Sequence, residues 1–192
     1  LSPQAVNKVE VKDPYKIITL ANGSVIHAKS IVITTGVDYR KLDTKGLEQF
    51  TGAGVYYGAA TTEAAACKDG DVFVVGGGNS AGQGAMYLSR FARKVFIVVR
   101  KEDLTSTMSS YLIDQINATP NIEIVPCTEV TEAFGENERL THLELSNISN
   151  GQKTRVEARA IFIFIGAKPY TEWLGDLIIK NDKGFIATGR DL

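Results

Sequence analysis

Cysteine, histidine, methionine and tryptophan are scarce here: two Cys, two His, two Met and one Trp in 192 residues. Cys67 and Cys127 make no disulfide framework, and the expected setting is a reducing cytoplasm. His27 and His142 are isolated in polar, strand-like contexts, so no metal-ligand cluster is expected. Neither sign of charge is in excess, with 21 Lys and Arg against 22 Asp and Glu and a formal net charge of −1. Such a balance points to no nucleic acid and no anionic membrane. Long apolar runs are missing too; Ala160 to Ala167 is among the longest and far too short to span a bilayer. What remains is ordinary globular composition, 44% hydrophobic and 22% charged, enough for a real core. No signal peptide is visible, but the chain begins at Leu1 rather than Met, and truncation is the expected reading.

The informative stretch runs from Asp71 to Lys101. The β-rich run Val72 to Val75 enters Gly76-Gly77-Gly78. Asn79-Ser80-Ala81 then opens a pattern with Ala81, Ala85, Leu88 and Ala92 at helical spacing, and Val95 to Val99 is a second apolar β run. Strand, glycine turn, helix and strand within about 30 residues is the length of a βαβ unit. The spacing is G-x-G-x-x-A. Gly76 allows the tight turn, Gly78 lets a pyrophosphate approach the backbone, and Ala81 lets the helix pack on the strand. Free N–H groups around Asn79 and Ser80 face the anion. An NAD site usually carries Asp or Glu about 20 residues on. Arg100-Lys101 stands here instead, and two cations suit a 2′-phosphate, so NADPH is favoured over NADH.

Before this stretch, Lys8 to Val11, Tyr15 to Leu20 and Val25 to Ala28 read as strands, with a hairpin turn at Asn22-Gly23. Ser30 to Ile33 reads as a buried parallel strand of a second α/β unit, although no glycine-rich turn precedes it. Residues 37–54 read as an interdomain linker, Val55 to Tyr57 as a short strand, and 61–67 as an Ala-rich helix. Afterwards, Thr105 to Asn117 reads as a helix with Met108 as core filler. Ile122 to Val125 reads as a strand, and residues 128–160 as an antiparallel meander with a turn at Asn150-Gly151. Ala160 to Ile165 reads as a strand buried on both faces. A meander inserted before the last parallel strand brings the sequence to a family.

The chain resembles thioredoxin-reductase-like, FAD/NAD(P)-dependent pyridine nucleotide-disulfide oxidoreductases. Ile31 to Gly36 resembles the family's "ATG" segment with Thr34 in place of Ala, and Gly52-Ala53-Gly54-Val55 resembles the crossover into the nucleotide domain. Gly76 to Ala81 matches the NADPH glycine loop, and Arg100-Lys101 falls where the family carries Arg-Arg. Ile163 to Pro169 resembles the return crossover, and Gly184-Phe185-Ile186 the first returning strand. Gly54-Val55-Tyr56-Tyr57 with Gly76 to Gln83 is similar to a bacterial branch often joined to a cyclic-nucleotide-binding domain, which these residues do not contain. The chain also departs from the pattern. The family's C-x-x-C position reads Gly58-Ala59-Ala60-Thr61, Cys67 reads as structural, and Thr105 replaces a further Arg. The family's terminal FAD motifs are not found.

The resemblance implies a Rossmann-like NAD(P)-binding domain with a βαβ core and an inserted antiparallel meander, flanked by partial FAD-domain segments. Residues 1–50 would close the first FAD segment, 51–167 form the NADPH domain, and 168–192 begin the returning segment. Gly76, Gly78, Asn79, Ser80 and Ala81 would hold the pyrophosphate, Arg100 and Lys101 the 2′-phosphate, and Gly166 would sit near the nicotinamide. The implied enzyme is an NADPH-dependent flavin oxidoreductase, with FAD in a full-length, homodimer-compatible parent and the fragment alone inactive. Its alternatives are a ferredoxin- or flavodoxin-NADP reductase, which would pass electrons to a small redox protein, and a non-catalytic NADPH-binding module.

Overall fold

The computed structural model describes residues 3–58, 63–64 and 67–189. In chain order the first strands are β1 (Val6–Lys12), β2 (Tyr15–Leu20), β3 (Val25–Ala28), β4 (Val37–Tyr39), β5 (Val55–Tyr57) and β6 (Asp71–Val75). Helix α1 (Asn79–Leu88), β7 (Lys94–Val98), helix α2 (Ser110–Asn117) and β8 (Ile122–Val125) follow. The last strands are β9 (Thr128–Glu136), β10 (Arg139–Asn147), β11 (Lys153–Glu157), β12 (Ala160–Ile163) and β13 (Ala167–Pro169). The chain divides into two compact units, Lys41–Gly166 and Leu1–Arg40 with Ala167–Leu192.

The Lys41–Gly166 unit is built on a five-stranded parallel sheet in the order β5-β12-β6-β7-β8. Its strands are short apolar runs because both faces are covered. Alternate residues serve opposite sides. Val72, Val74, Val95, Ile97, Ala160 and Phe162 pack with Ala81, Ala85 and Leu88 of α1 and Leu112 and Ile116 of α2. Phe73, Val75, Val98, Ile161 and Ile163 pack instead with Val130, Ala133, Leu140, Leu143 and Leu145 of β9 and β10. The register sets Ile161 beside Phe73 and Ile163 beside Val75, so one strand's alternation matches the next. The result is α/β: helices on one face of the parallel sheet and the antiparallel order β11-β10-β9 on the other. After that meander the chain returns to insert β12 between β5 and β6.

Two readings within this unit need correction. Helix α2 starts at Ser110 rather than Thr105. The Asp103 carboxylate accepts from the Thr105 N–H at 2.9 Å and from its hydroxyl at 2.7 Å, a local turn that competes with helix. Residues 41–54 are no bare linker either, because Leu47 and Phe50, 1% and 6% exposed, enter the meander-side core. Most of the expected helix 61–67 lies outside the described residues.

In the other unit, β1-β2-β3 form an antiparallel sheet and β4 pairs antiparallel with β13. The Asn22-Gly23 turn forms as expected, with Gly23 at φ 83° and the Ser24 N–H donating to Asn22 Oδ1. Ser30 to Ile33 is not a strand, and Val32 is 85% exposed. No described strand pairs with this run, and of its apolar side chains Val32 and Ile33 are exposed while Ile31 is half-buried. Among the described residues the β pairing of Gly184 to Ile186 is the isolated bridge Lys180↔Ile186, with Gly184 in a turn at φ 83°. No described helix is long and apolar enough to cross a membrane.

Two-sided burial of the central strands makes them the costly positions. Phe162, 0% exposed, cut back to Ala should lose about 3–5 kcal/mol in urea unfolding. Val32→Ala, at an 85% exposed position, should change stability by less than about 0.5 kcal/mol.

Candidate functional site

The turn after β6 is shaped by lack of room. Gly76 has φ 142°, and an added Cβ would press into the Phe164 carbonyl oxygen at the end of β12. The Gly76 N–H donates to Val98 O of the neighbouring strand at 3.2 Å, so the turn is held against both flanking strands. Gly78 is the N-cap of α1 in extended conformation, and its carbonyl accepts from Ala81 and Gly82 at 3.0 and 3.2 Å. The N–H groups of Asn79 and Ser80, at the first turn, have no intrahelical acceptor. Ala81 is 0% exposed against the sheet. Gly82 lets α2 approach, since a Cβ there would stand 2.6 Å from Leu112 Cδ2.

Asn79 does something the sequence reading missed. Its Oδ1 accepts from the Ser109 N–H at 2.8 Å and the Ser109 hydroxyl at 3.1 Å, holding the residue that precedes α2. With Oδ1 so engaged, Asn79 keeps its main-chain N–H and its Nδ2 amide as donors toward a ligand. Thr107 was also missed; its hydroxyl donates to Gly77 O at 2.7 Å. Both contacts join residues 30 apart in sequence. The hydroxyl-rich run Thr105-Ser106-Thr107 with Ser109-Ser110 was the only available signal.

Arg100 and Lys101 leave the carboxyl end of β7, the strand beside β6. Both are exposed. Lys101 Nζ donates to Ser106 Oγ at 2.9 Å, whereas Arg100 has no ion pair among the described residues. Asp103 is held below the usual carboxylate range, first by hydrogen bonds from Thr105 and further by the Lys101 charge. Gly166, exposed at φ 100°, lies past the end of β12, the neighbour of β6 on its other side. The topology thus gathers Gly76, Gly78, Asn79, Ser80, Ala81, Arg100, Lys101 and Gly166 along the carboxyl edge of β12, β6 and β7.

The cysteines stand apart from this edge in character. Cys67 is buried, and its thiol donates to Glu63 O at 3.2 Å. Burial pushes the thiol up to about 11, with the Arg159 charge opposing. Cys127 is half-buried at φ 49°, its N–H donating to Lys101 O. Ala59, Ala60 and Thr61, in the C-x-x-C position of the resemblance, lie outside the described residues. No group of three or more metal-ligating side chains occurs among the described residues.

An open parallel sheet with a glycine turn and a helix N-terminus at its carboxyl edge defines the class of α/β protein whose crevice lies beyond the strand ends. The profile of the pyridine nucleotide-disulphide oxidoreductase family matches residues 4–192, and the chain belongs to that family, on its thioredoxin-reductase-like side. A thioredoxin reductase of Streptomyces clavuligerus is 34% identical over 186 residues, covering 97% of this chain and 56% of that protein. The structure of thioredoxin reductase from Streptococcus pyogenes has a TM-score of 0.81 at 32% identity, covering 97% of this chain and 60% of that one. That from Giardia duodenalis has a TM-score of 0.82 at 26% identity, covering 94% and 58%. The chain therefore spans somewhat over half the length of these relatives.

Two outcomes are expected of these residues. Gly76→Ala, facing both a positive φ and the Phe164 carbonyl, should cost about 2 kcal/mol or more in urea unfolding. With iodoacetamide at pH 8, native Cys127 should be labelled. Cys67, its thiol near 11, should react about a hundredfold more slowly until denaturant is added; mass spectrometry of the digested chain distinguishes the two.

Proposed function

We propose that the chain is the NADPH-binding portion of a FAD-dependent, thioredoxin-reductase-like oxidoreductase. In this reading the Rossmann-like nucleotide domain expected at 51–167 extends back to Lys41, because Leu47 and Phe50 pack in its core, while Leu1–Arg40 and Ala167–Leu192 are segments of a split FAD domain. The observation that carries it is the meeting of glycine turn and basic pair on one carboxyl edge, with room at Gly78. A Cβ built there finds nothing nearer than Thr107 O at 3.9 Å, so a bulky anion can come close to the main chain.

NADPH, when bound, supplies hydride, destined in the parent for the flavin. The chain's own residues bind and orient it. The main-chain N–H groups at Gly78, Asn79 and Ser80 hold the pyrophosphate at the positive end of α1. Ala81 keeps that helix end close to the sheet. Arg100 grips the 2′-phosphate through its planar fork, and Lys101 adds a point charge steered by Ser106. Gly166 leaves space at the nicotinamide end. The described residues contain no second glycine-rich strand–helix turn, and none of them is assigned to FAD.

A second reading concerns the electron acceptor. The chain contains no C-x-x-C, and Cys67 is a buried thiol pushed up to about 11. That favours an acceptor of ferredoxin or flavodoxin type over a dithiol relay through these residues. A non-catalytic NADPH-binding module is the remaining alternative, and flavin absorbance in a longer parent protein would count against it. A cytoplasmic setting fits two free cysteines.

Calorimetric titration with NADPH and NADH at matched low ionic strength tests the nucleotide reading. NADPH should bind more tightly than NADH, and Arg100→Ala should weaken NADPH about tenfold while leaving NADH nearly unchanged. Equal affinity for the two would remove the role given to Arg100 and Lys101, and no binding of either would overturn the reading.

A further inference from the structure

The segment from Lys101 to Ser109 is closed by one internal bond and tied to the glycine turn and the start of α1 by the others. Lys101 Nζ reaches Ser106 Oγ at 2.9 Å, Thr107 Oγ1 reaches Gly77 O at 2.7 Å, and Ser109 reaches Asn79 Oδ1 at 2.8 and 3.1 Å. Leu104 and Met108, 2% and 5% exposed, anchor the segment in the helix-side core. Close packing supports the Thr107 bond. A Cβ added at Gly77 would stand 3.2 Å from Thr107 Oγ1, 3.5 Å from Val99 Cγ1 and 3.7 Å from Leu104 Cδ2.

We propose that Thr107 is a positioning residue for the dinucleotide's pyrophosphate, acting through the peptide between Gly77 and Gly78. That peptide is trans, so its C=O and N–H point in opposite directions. With two glycines flanking it, the peptide plane has little intrinsic preference between orientations. One orientation would aim the carbonyl at an anion and repel it. The Thr107 hydroxyl pins the carbonyl to the 101–109 segment, which keeps the Gly78 N–H pointing away from that segment as a main-chain donor. No hydrogen bond from that N–H is made among the described residues. Asn79, by holding Ser109, keeps Thr107 in register.

This inference rests on the nucleotide-binding reading, and the test separates the two. The whole 192-residue chain, as wild type, Thr107→Val and Thr107→Ser, is titrated with NADPH and with adenosine 2′-monophosphate, which has no pyrophosphate. Thr107→Val keeps the shape and loses the donor. It should weaken NADPH about three- to tenfold while adenosine 2′-monophosphate stays unchanged, and Thr107→Ser should retain wild-type affinity. Unchanged NADPH affinity in Thr107→Val would overturn the positioning role. Equal weakening of both ligands would also overturn it, because that is the mark of a merely structural residue. Failure of wild type to bind either ligand would instead bring down the nucleotide reading itself, and this role with it.

Discussion

The side-by-side packing of β6 and β12, each buried on both faces, is the constraint on which the rest depends. Val72 and Val74 with Ala160 and Phe162 close one face, and Phe73 and Val75 with Ile161 and Ile163 close the other. Because neither strand can shift without exposing one of these sets, the Phe164 carbonyl is fixed against the turn leaving β6. Only a residue without Cβ fits beside it, and that residue is Gly76. The glycine therefore follows from sheet packing as much as from any ligand.

Around that fixed turn, main chain and side chains divide the work. The start of α1 contributes N–H groups, while Asn79 Oδ1 is committed to Ser109 and the Thr107 hydroxyl to Gly77. Side chains here hold the backbone in place, and the backbone faces the crevice. The arrangement suits an anion larger than any one side chain could enclose, since several weak donors converge without losing side-chain entropy on binding. Arg100 is the exception, exposed and free of ion pairs among the described residues. A free, exposed guanidinium keeps its full hydrogen-bonding capacity for a phosphate.

The ion pairs contribute little to the frame. Arg93 meets Asp71 through two bonds of 2.9 and 2.8 Å, a fork that ties the start of β6 to the loop before β7. Yet the arginine is 63% exposed, and such pairs are screened by solvent. Stability instead follows the two apolar layers. The buried thiol of Cys67 belongs to one of them, which is why its environment keeps it protonated rather than reactive.

Much of this was legible in the sequence because its signals are local. Apolar runs marked β6, β7 and β12, Ile122 to Val125 marked β8, and Asn22-Gly23 and Asn150-Gly151 marked the turns between β2 and β3 and between β10 and β11. The spacing from Gly76 to Ala81 marked the strand–helix junction, and the motifs from Ile31 to Ile186 pointed to the family. Local pattern failed where the outcome depends on what lies opposite. Ser30 to Ile33 has the composition of a buried strand but finds no partner among the described residues. Leu47 and Phe50 sit in a loop-like stretch and are drawn inward by the meander. Thr105 loses its place in a helix to the nearby Asp103 carboxylate. The Thr107–Gly77 and Asn79–Ser109 bonds had no reading in advance. Sequence determines periodicity, turn chemistry and the cost of a Cβ. Only the tertiary fold decides which distant hydroxyl meets which carbonyl, because that depends on how two helices settle on the same sheet.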